Sequence, residues 1–157
     1  MKVFVSGSIS IKSLPIIAIQ KLDGIMKSNL TVILGDANGT DFLVQDYLYN
    51  HHYENVRVYY AGNSIRNNVG KWMTLNVPSM GLKGREKFTL KDIKMAEDSD
   101  YGLMIWDGVS KGTKRNIDEM LSLKKHFYVV MNNLLLTDKD FFTESKEKVL
   151  QNELFAI

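Results

Sequence analysis

Three short stretches of this 157-residue chain combine glycines with hydroxyl, amide and carboxylate side chains, residue types that hold phosphates and sugars. The richest is Asp107-Gly108-Val109-Ser110-Lys111-Gly112-Thr113. An apolar, aromatic run from Tyr101 to Trp106 precedes it, and helical spacing of Ile117, Met120 and Leu121 follows. A buried strand, a Gly/Ser/Thr loop and a helix start together make an anion cradle. Loop amides point outward, hydroxyls add donors, and the helix N-terminus carries partial positive charge. Amides from Gly108 to Thr113 would hold a phosphate or pyrophosphate, with hydroxyl donors from Ser110 and Thr113 and charge from Lys111. The plainer alternative is a tight turn whose glycines serve backbone geometry alone.

Two further loops follow two other strand-like runs. Ser6-Gly7-Ser8 comes after Val3-Phe4-Val5, and Gly35-Asp36-Ala37-Asn38-Gly39-Thr40-Asp41 comes after Thr31 to Leu34. The second is not the dinucleotide fingerprint, whose three glycines are more tightly ordered, and no Gly-Lys-Ser/Thr makes it a P-loop. Gly7, Ser8, Gly35, Asp36, Asn38 and Gly39 would line the rest of a ligand site. Asp36 and Asp41 could hold ribose hydroxyls or a metal. The plainer reading of Asp41 is a carboxylate favoured by a helix N-terminus. His51, His52 and His126 have no ligand spacing, so no metal is assigned and no cofactor is required.

The elements that must position these loops alternate. Ala18, Leu22, Ile25 and Met26 predict a helix to about Lys27, with Ser13 as N-cap and Pro15 in its first turn. Leu43, Val44, Tyr47 and Leu48 mark a second helix, and Asn55 to Tyr60 a third strand. No clear periodicity runs from Gly62 to Lys87, a basic insertion with Arg66, Lys71, Lys83, Arg85 and Lys87. A structureless connection of that length is usually functional or disordered. It reads as a lid over an anionic ligand or as a solvated loop, with Trp72 as a stacking platform or a packing anchor. Thr89 with Asp92 resembles a capping box that opens a helix through Ile93, Met95 and Ala96. The Gly112 helix runs to about Lys125, where Lys124 and Lys125 suit the negative end of its dipole. His126 to Met131 makes a fifth strand, and Thr137 and Asp138 cap a last helix from about Lys139 to Leu150.

This pattern predicts one α/β domain over residues 1–157. It would be a three-layer, doubly wound Rossmann-like fold with a mainly parallel sheet of about five strands. Loops that follow the strands of such a sheet gather at one edge, where ligands bind. The three glycine loops are therefore expected to converge. The hydrophobic fraction of 45% and the charged fraction of 24% are ordinary for a globular domain. A net charge of +2 argues against a nucleic-acid partner, and no apolar run approaches membrane-spanning length. The absence of cysteine excludes disulfides, thiolate metal sites and cysteine nucleophiles. No signal-peptide pattern precedes the first strand, so a cytoplasmic location is expected. A homo-oligomer stays open.

The stretches Val-Phe-Val-Ser-Gly-Ser, Gly-Asp-Ala-Asn-Gly-Thr-Asp and Ser-Asp-Tyr-Gly-Leu-Met-Ile-Trp-Asp-Gly-Val-Ser-Lys-Gly-Thr span residues 1–132 in motif order. Together they resemble the SLOG superfamily of Rossmann-like nucleotide-binding domains, most of all its small bacterial YspA-like members. The resemblance implies a site for a nucleotide or an ADP-ribose-like derivative at the glycine loops, in a binding or sensing module. The superfamily's "lonely guy" phosphoribohydrolases carry Pro-Gly-Gly-x-Gly-Thr-x-Glu-Glu and an upstream Arg. This chain keeps the Gly112-Thr113 end, has Lys114, Arg115 and Asn116 where the catalytic acid belongs, and sets Lys91 at the Arg position. Asp118 and Glu119 lie one turn further along. An N-glycoside hydrolase or deoxyribosyltransferase would need a carboxylate at the anomeric carbon, with Asp36, Asp107 and Glu119 as candidates. A third reading is single-stranded nucleic-acid binding through the basic segment and Trp72.

Overall fold

A computed structural model describes residues 1–142. Its centre is a seven-stranded sheet in the order β4-β3-β2-β1-β5-β6-β7. The strands are β1 (Lys2–Gly7), β2 (Thr31–Leu34), β3 (Val56–Ala61), β4 (Met73–Val77), β5 (Tyr101–Ile105), β6 (His126–Met131) and β7 (Leu134–Thr137). All neighbours pair in parallel except β6 and β7, which form an antiparallel hairpin. Four helices connect them: α1 (Ile16–Lys27), α2 (Thr40–Asn50), α3 (Arg85–Asp98) and α4 (Lys111–Ser122).

Alternation along the strands divides the core in two, as a two-residue side-chain period requires. Val3, Val5, Val32 and Leu34 pack with Ala18, Leu22, Val44 and Leu48 of α1 and α2. Phe4, Ile33 and Met104 pack on the other face with Met95 and Ala96 of α3 and Ile117 and Met120 of α4. The result is the expected three-layer, doubly wound, Rossmann-like arrangement. Among the described residues no helix is long and apolar enough to cross a membrane.

The sheet has seven strands rather than five. β4 lies inside the segment expected to be structureless. As an edge strand it exposes Met73, Thr74, Leu75 and Asn76 and buries only Val77, so it carries no inward apolar alternation. Trp72 fixes its start: the ring is 6% exposed and its Nε1 donates to the Tyr53 carbonyl at 2.9 Å. Trp72 is thus a packing anchor with no open face for stacking. β7 hides behind a two-residue turn at Asn132-Asn133, where Asn132 adopts φ 51°, a region asparagine tolerates.

The starts of α3 and α1 also differ from expectation. α3 begins at Arg85 after Gly84 (φ 60°), four residues before the expected capping box. Thr89 is already inside it and donates back to the Arg85 carbonyl. α1 has Pro15 at its N-cap position with no side-chain cap, so Ser13 does not serve there. The last helix starts at residue 138, directly after β7; its expected course beyond residue 142 lies outside the described residues.

Candidate functional site

Strand order reverses direction between β1 and β5, and the loops after these two strands meet there. Ser8 ties them together. Its hydroxyl accepts the Asp107 N–H at 3.1 Å and lies 3.2 Å from Thr113 Oγ1. Its carbonyl accepts the Thr40 hydroxyl at 2.8 Å, which brings in the loop after β2. Gly7 allows this closeness, since a Cβ there would strike the Ile105 carbonyl and the Thr40 side chain. Ser6 accepts a 2.7 Å hydrogen bond from Asn116 Nδ2, fixing α4 against β1. The three glycine loops therefore converge at one edge of the sheet.

The start of α4 is built by Asp107. Its carboxylate accepts the N–H groups of Val109 and Ser110 at 2.9 and 2.7 Å, and the hydroxyls of Ser10 and Ser110. Burial works to raise its pKa, but these four donors outweigh it and hold the carboxyl well below the usual range. Gly108, at φ 84°, makes the turn. Ser110 occupies the N-cap without bonding a helix amide through its side chain. The amides of Lys111, Gly112 and Thr113 precede the first intrahelical bond and stay available.

These amides border a cleft of about 420 Å³ between α3, α4 and the converging loops. Arg66, Arg85, Lys91, Lys111 and Arg115 line it, so five cations accompany the helix terminus. Phe88 and Met95 give it an apolar wall. The Arg66 guanidinium lies 4.2 Å over the Phe88 ring.

Asp36 sets this geometry from behind. It is fully buried, and it accepts the Arg66 backbone N–H at 2.9 Å and the Arg66 guanidinium at 2.7 Å. Burial would raise its pKa, but the Arg66 bonds and the Lys91 charge prevail and lower it. Buried Gln45 pins the same segment by accepting from Val69 N–H and donating to the carbonyls of Gly35 and Asn67. Part of the basic insertion is thereby fastened to the glycine loops.

Lys91, Asp41 and Asp92 also line the cleft. Lys91 is 3% exposed, with its Nζ 3.5 Å from Asp36 Oδ1 and 3.8 Å from Asp92 Oδ1. A Cβ on Gly35 would collide with both Lys91 Nζ and Asp41 Oδ2, so the glycine makes room for this cluster. Burial pushes the Asp41 carboxyl up to about 6 against the opposing pull of Lys91. Burial also raises Asp92, again opposed by Lys91.

Of the residues singled out in the sequence, Gly7, Ser8, Ser110, Lys111, Gly112 and Thr113 line the cleft. Gly35, Asp36, Gly39 and Gly108 support it from outside that lining; Asn38 is exposed and accepts from Asn67. Asp107 is occupied by its four donors, and Glu119 borders a separate groove between α3 and α4. Lys91, which the resemblance sets at the upstream Arg position, and Arg115 and Asn116, set where the catalytic acid belongs, also line the cleft, together with Asp92 of the expected capping box. A second signal was spacing on two amphipathic helices, since Asp92 and Asn116 fall one residue from inward-facing Lys91 and Ile117. No family model matches the chain, and neither a curated protein nor a solved structure matches it significantly.

Proposed function

We propose that this cleft binds a nucleotide or a nucleotide derivative such as ADP-ribose, as a SLOG-type binding or sensing module. The observation that carries the reading is the meeting of the uncapped α4 N-terminus with Arg66, Arg85, Lys111 and Arg115 in one cleft. Helix amides and guanidinium groups are complementary to phosphate oxygens in geometry and in charge. The position at the reversal of strand order also fits, because doubly wound sheets bind ligands there. The cleft volume suits a ligand of nucleotide size. N-glycoside chemistry in the same cleft would fall to Asp41 or Asp92, because Asp36, Asp107 and Glu119 do not line it.

A thermal-shift panel of nucleoside mono-, di- and triphosphates and ADP-ribose tests the reading, with Gly112→Asp as the paired variant. The nearest side-chain atom to a Cβ on Gly112 is Arg115 Nη2 at 3.8 Å, so the substitution fits sterically. A carboxylate in the first helical turn favours the helix while repelling phosphate. The expected result is a rise in Tm with at least one phosphorylated ligand that Gly112→Asp abolishes. No shift with any ligand, or a shift unchanged by the substitution, contradicts the reading.

A further inference from the structure

Phosphate binding accounts for the cationic side of the cleft and leaves its carboxylates unexplained. Asp41 and Asp92 both line it, and a carboxylate repels a phosphate. Asp41 Oδ2 accepts the Ala37 N–H at 3.1 Å, the one hydrogen bond of this carboxyl among the described residues. No buried side-chain oxygen or nitrogen of the described residues lacks a partner, so the second Asp41 oxygen keeps some accessible surface, and the residue lines the cleft. Asp92 likewise borders the cleft, next to Asn116.

Lys91 joins them in the cleft lining, with Asp36 and Asp92 as its carboxylate partners. At 3% exposure its ammonium meets carboxylate oxygens only at 3.5 and 3.8 Å, beyond a good hydrogen bond. A buried charge with loosely held partners is costly, and a ligand oxygen would complete its shell. The cleft thus presents two carboxylate acceptors and one ammonium donor. A phosphate is refused by the carboxylates, and an apolar group would leave the second Asp41 oxygen without a hydrogen bond. A vicinal diol satisfies the set: each hydroxyl donates to one carboxylate, and a lone pair of either accepts from the ammonium.

We propose that Asp41 and Asp92, with Lys91 beside them in the cleft lining, form a subsite for the vicinal hydroxyls of a ribose, so that the cleft selects ribonucleotides over 2′-deoxyribonucleotides. This rests on the nucleotide reading above and adds the sugar to it. The phosphate cradle comes from α4 and the diol subsite from α2 and α3, so one ligand would bridge three helices.

Isothermal titration at pH 7.5 tests it, using adenosine, guanosine, cytidine and uridine 5′-monophosphates with their 2′-deoxy and 2′,3′-dideoxy forms. The best ribonucleotide should bind about tenfold more tightly than its 2′-deoxy form, as expected for one lost hydrogen bond to a charged acceptor, and the dideoxy form should bind more weakly still. Asp92→Asn should shrink the ribo-to-deoxy ratio while inorganic phosphate continues to compete. Equal affinity of ribo, deoxy and dideoxy forms overturns the diol subsite and leaves the phosphate cradle standing. An unchanged ratio in Asp92→Asn also overturns the subsite. Failure of every nucleotide to bind overturns both proposals. The ligand series is read on the unmodified protein, so it holds even where a variant does not fold.

Discussion

Asp41 shows most clearly how a single residue couples the fold to the site. Burial raises its carboxyl to about 6 from an ordinary 3.8. Between these values the folded protein keeps a proton that the unfolded chain releases. Stability from this group is therefore fully present below pH 3.8 and is lost as pH rises through about 6. Asp41→Asn removes the penalty and retains an oxygen for the Ala37 N–H. The variant should match the unmodified protein near pH 4 and exceed it by roughly 2–3 kcal/mol above pH 6.5. Thermal melts across pH 4–8 measure the gap, and a gap independent of pH would refute the assignment. Asp36 and Asp107 have lowered values, so their contribution is present above pH 3.8 and fades only on further acidification. Little of this contrast was legible in the sequence. All three are loop or helix-start aspartates near glycines, and what separates them is the number of donors that the folded backbone and neighbouring elements bring to each carboxylate.

At the scale of elements, apolar spacing revealed helices and central strands because each buries a defined face. Val32 to Leu34 and Leu103 to Ile105 are covered on both sides of the sheet and read as unbroken apolar runs. The start of α3 was not legible, since Gly84 replaces a side-chain cap and Thr89 bonds within the helix. β4 was missed because an edge strand with one buried residue leaves no periodic trace. Lys125 is a further case. Its sequence position suggested the end of α4, yet α4 stops at Ser122. The Lys125 ammonium instead donates to the carbonyls of Ala96, Glu97 and Ser99 at 2.6–2.8 Å, capping α3. A cation that satisfies the terminal carbonyls also meets the negative end of the helix dipole. Lys125→Met keeps the length and removes the donors. It should lower stability by about 1–2 kcal/mol, seen as a lower urea midpoint at unchanged slope. An unaltered midpoint would mean that water caps the helix equally well.

For the whole molecule, the convergence of residues 6–8, 35–41 and 107–113 followed from topology alone. A parallel sheet with helical crossovers sends every post-strand loop to the same edge, however far apart in the chain. The α3 wall did not follow, because it enters through β4 and its crossing from the sheet edge back to β5. With it come Arg85, Phe88, Lys91 and Asp92, which turn the edge at the α4 terminus into a cleft with a second, carboxylate-bearing side. We propose that ligand phosphate sits on the first turn of α4, and backbone amide NMR during titration with the best-binding nucleotide reads that turn residue by residue. The largest shift changes should fall on the amides of Lys111, Gly112 and Thr113, and Gly112→Asp should erase them. Saturable binding that leaves these three amides unmoved would contradict it.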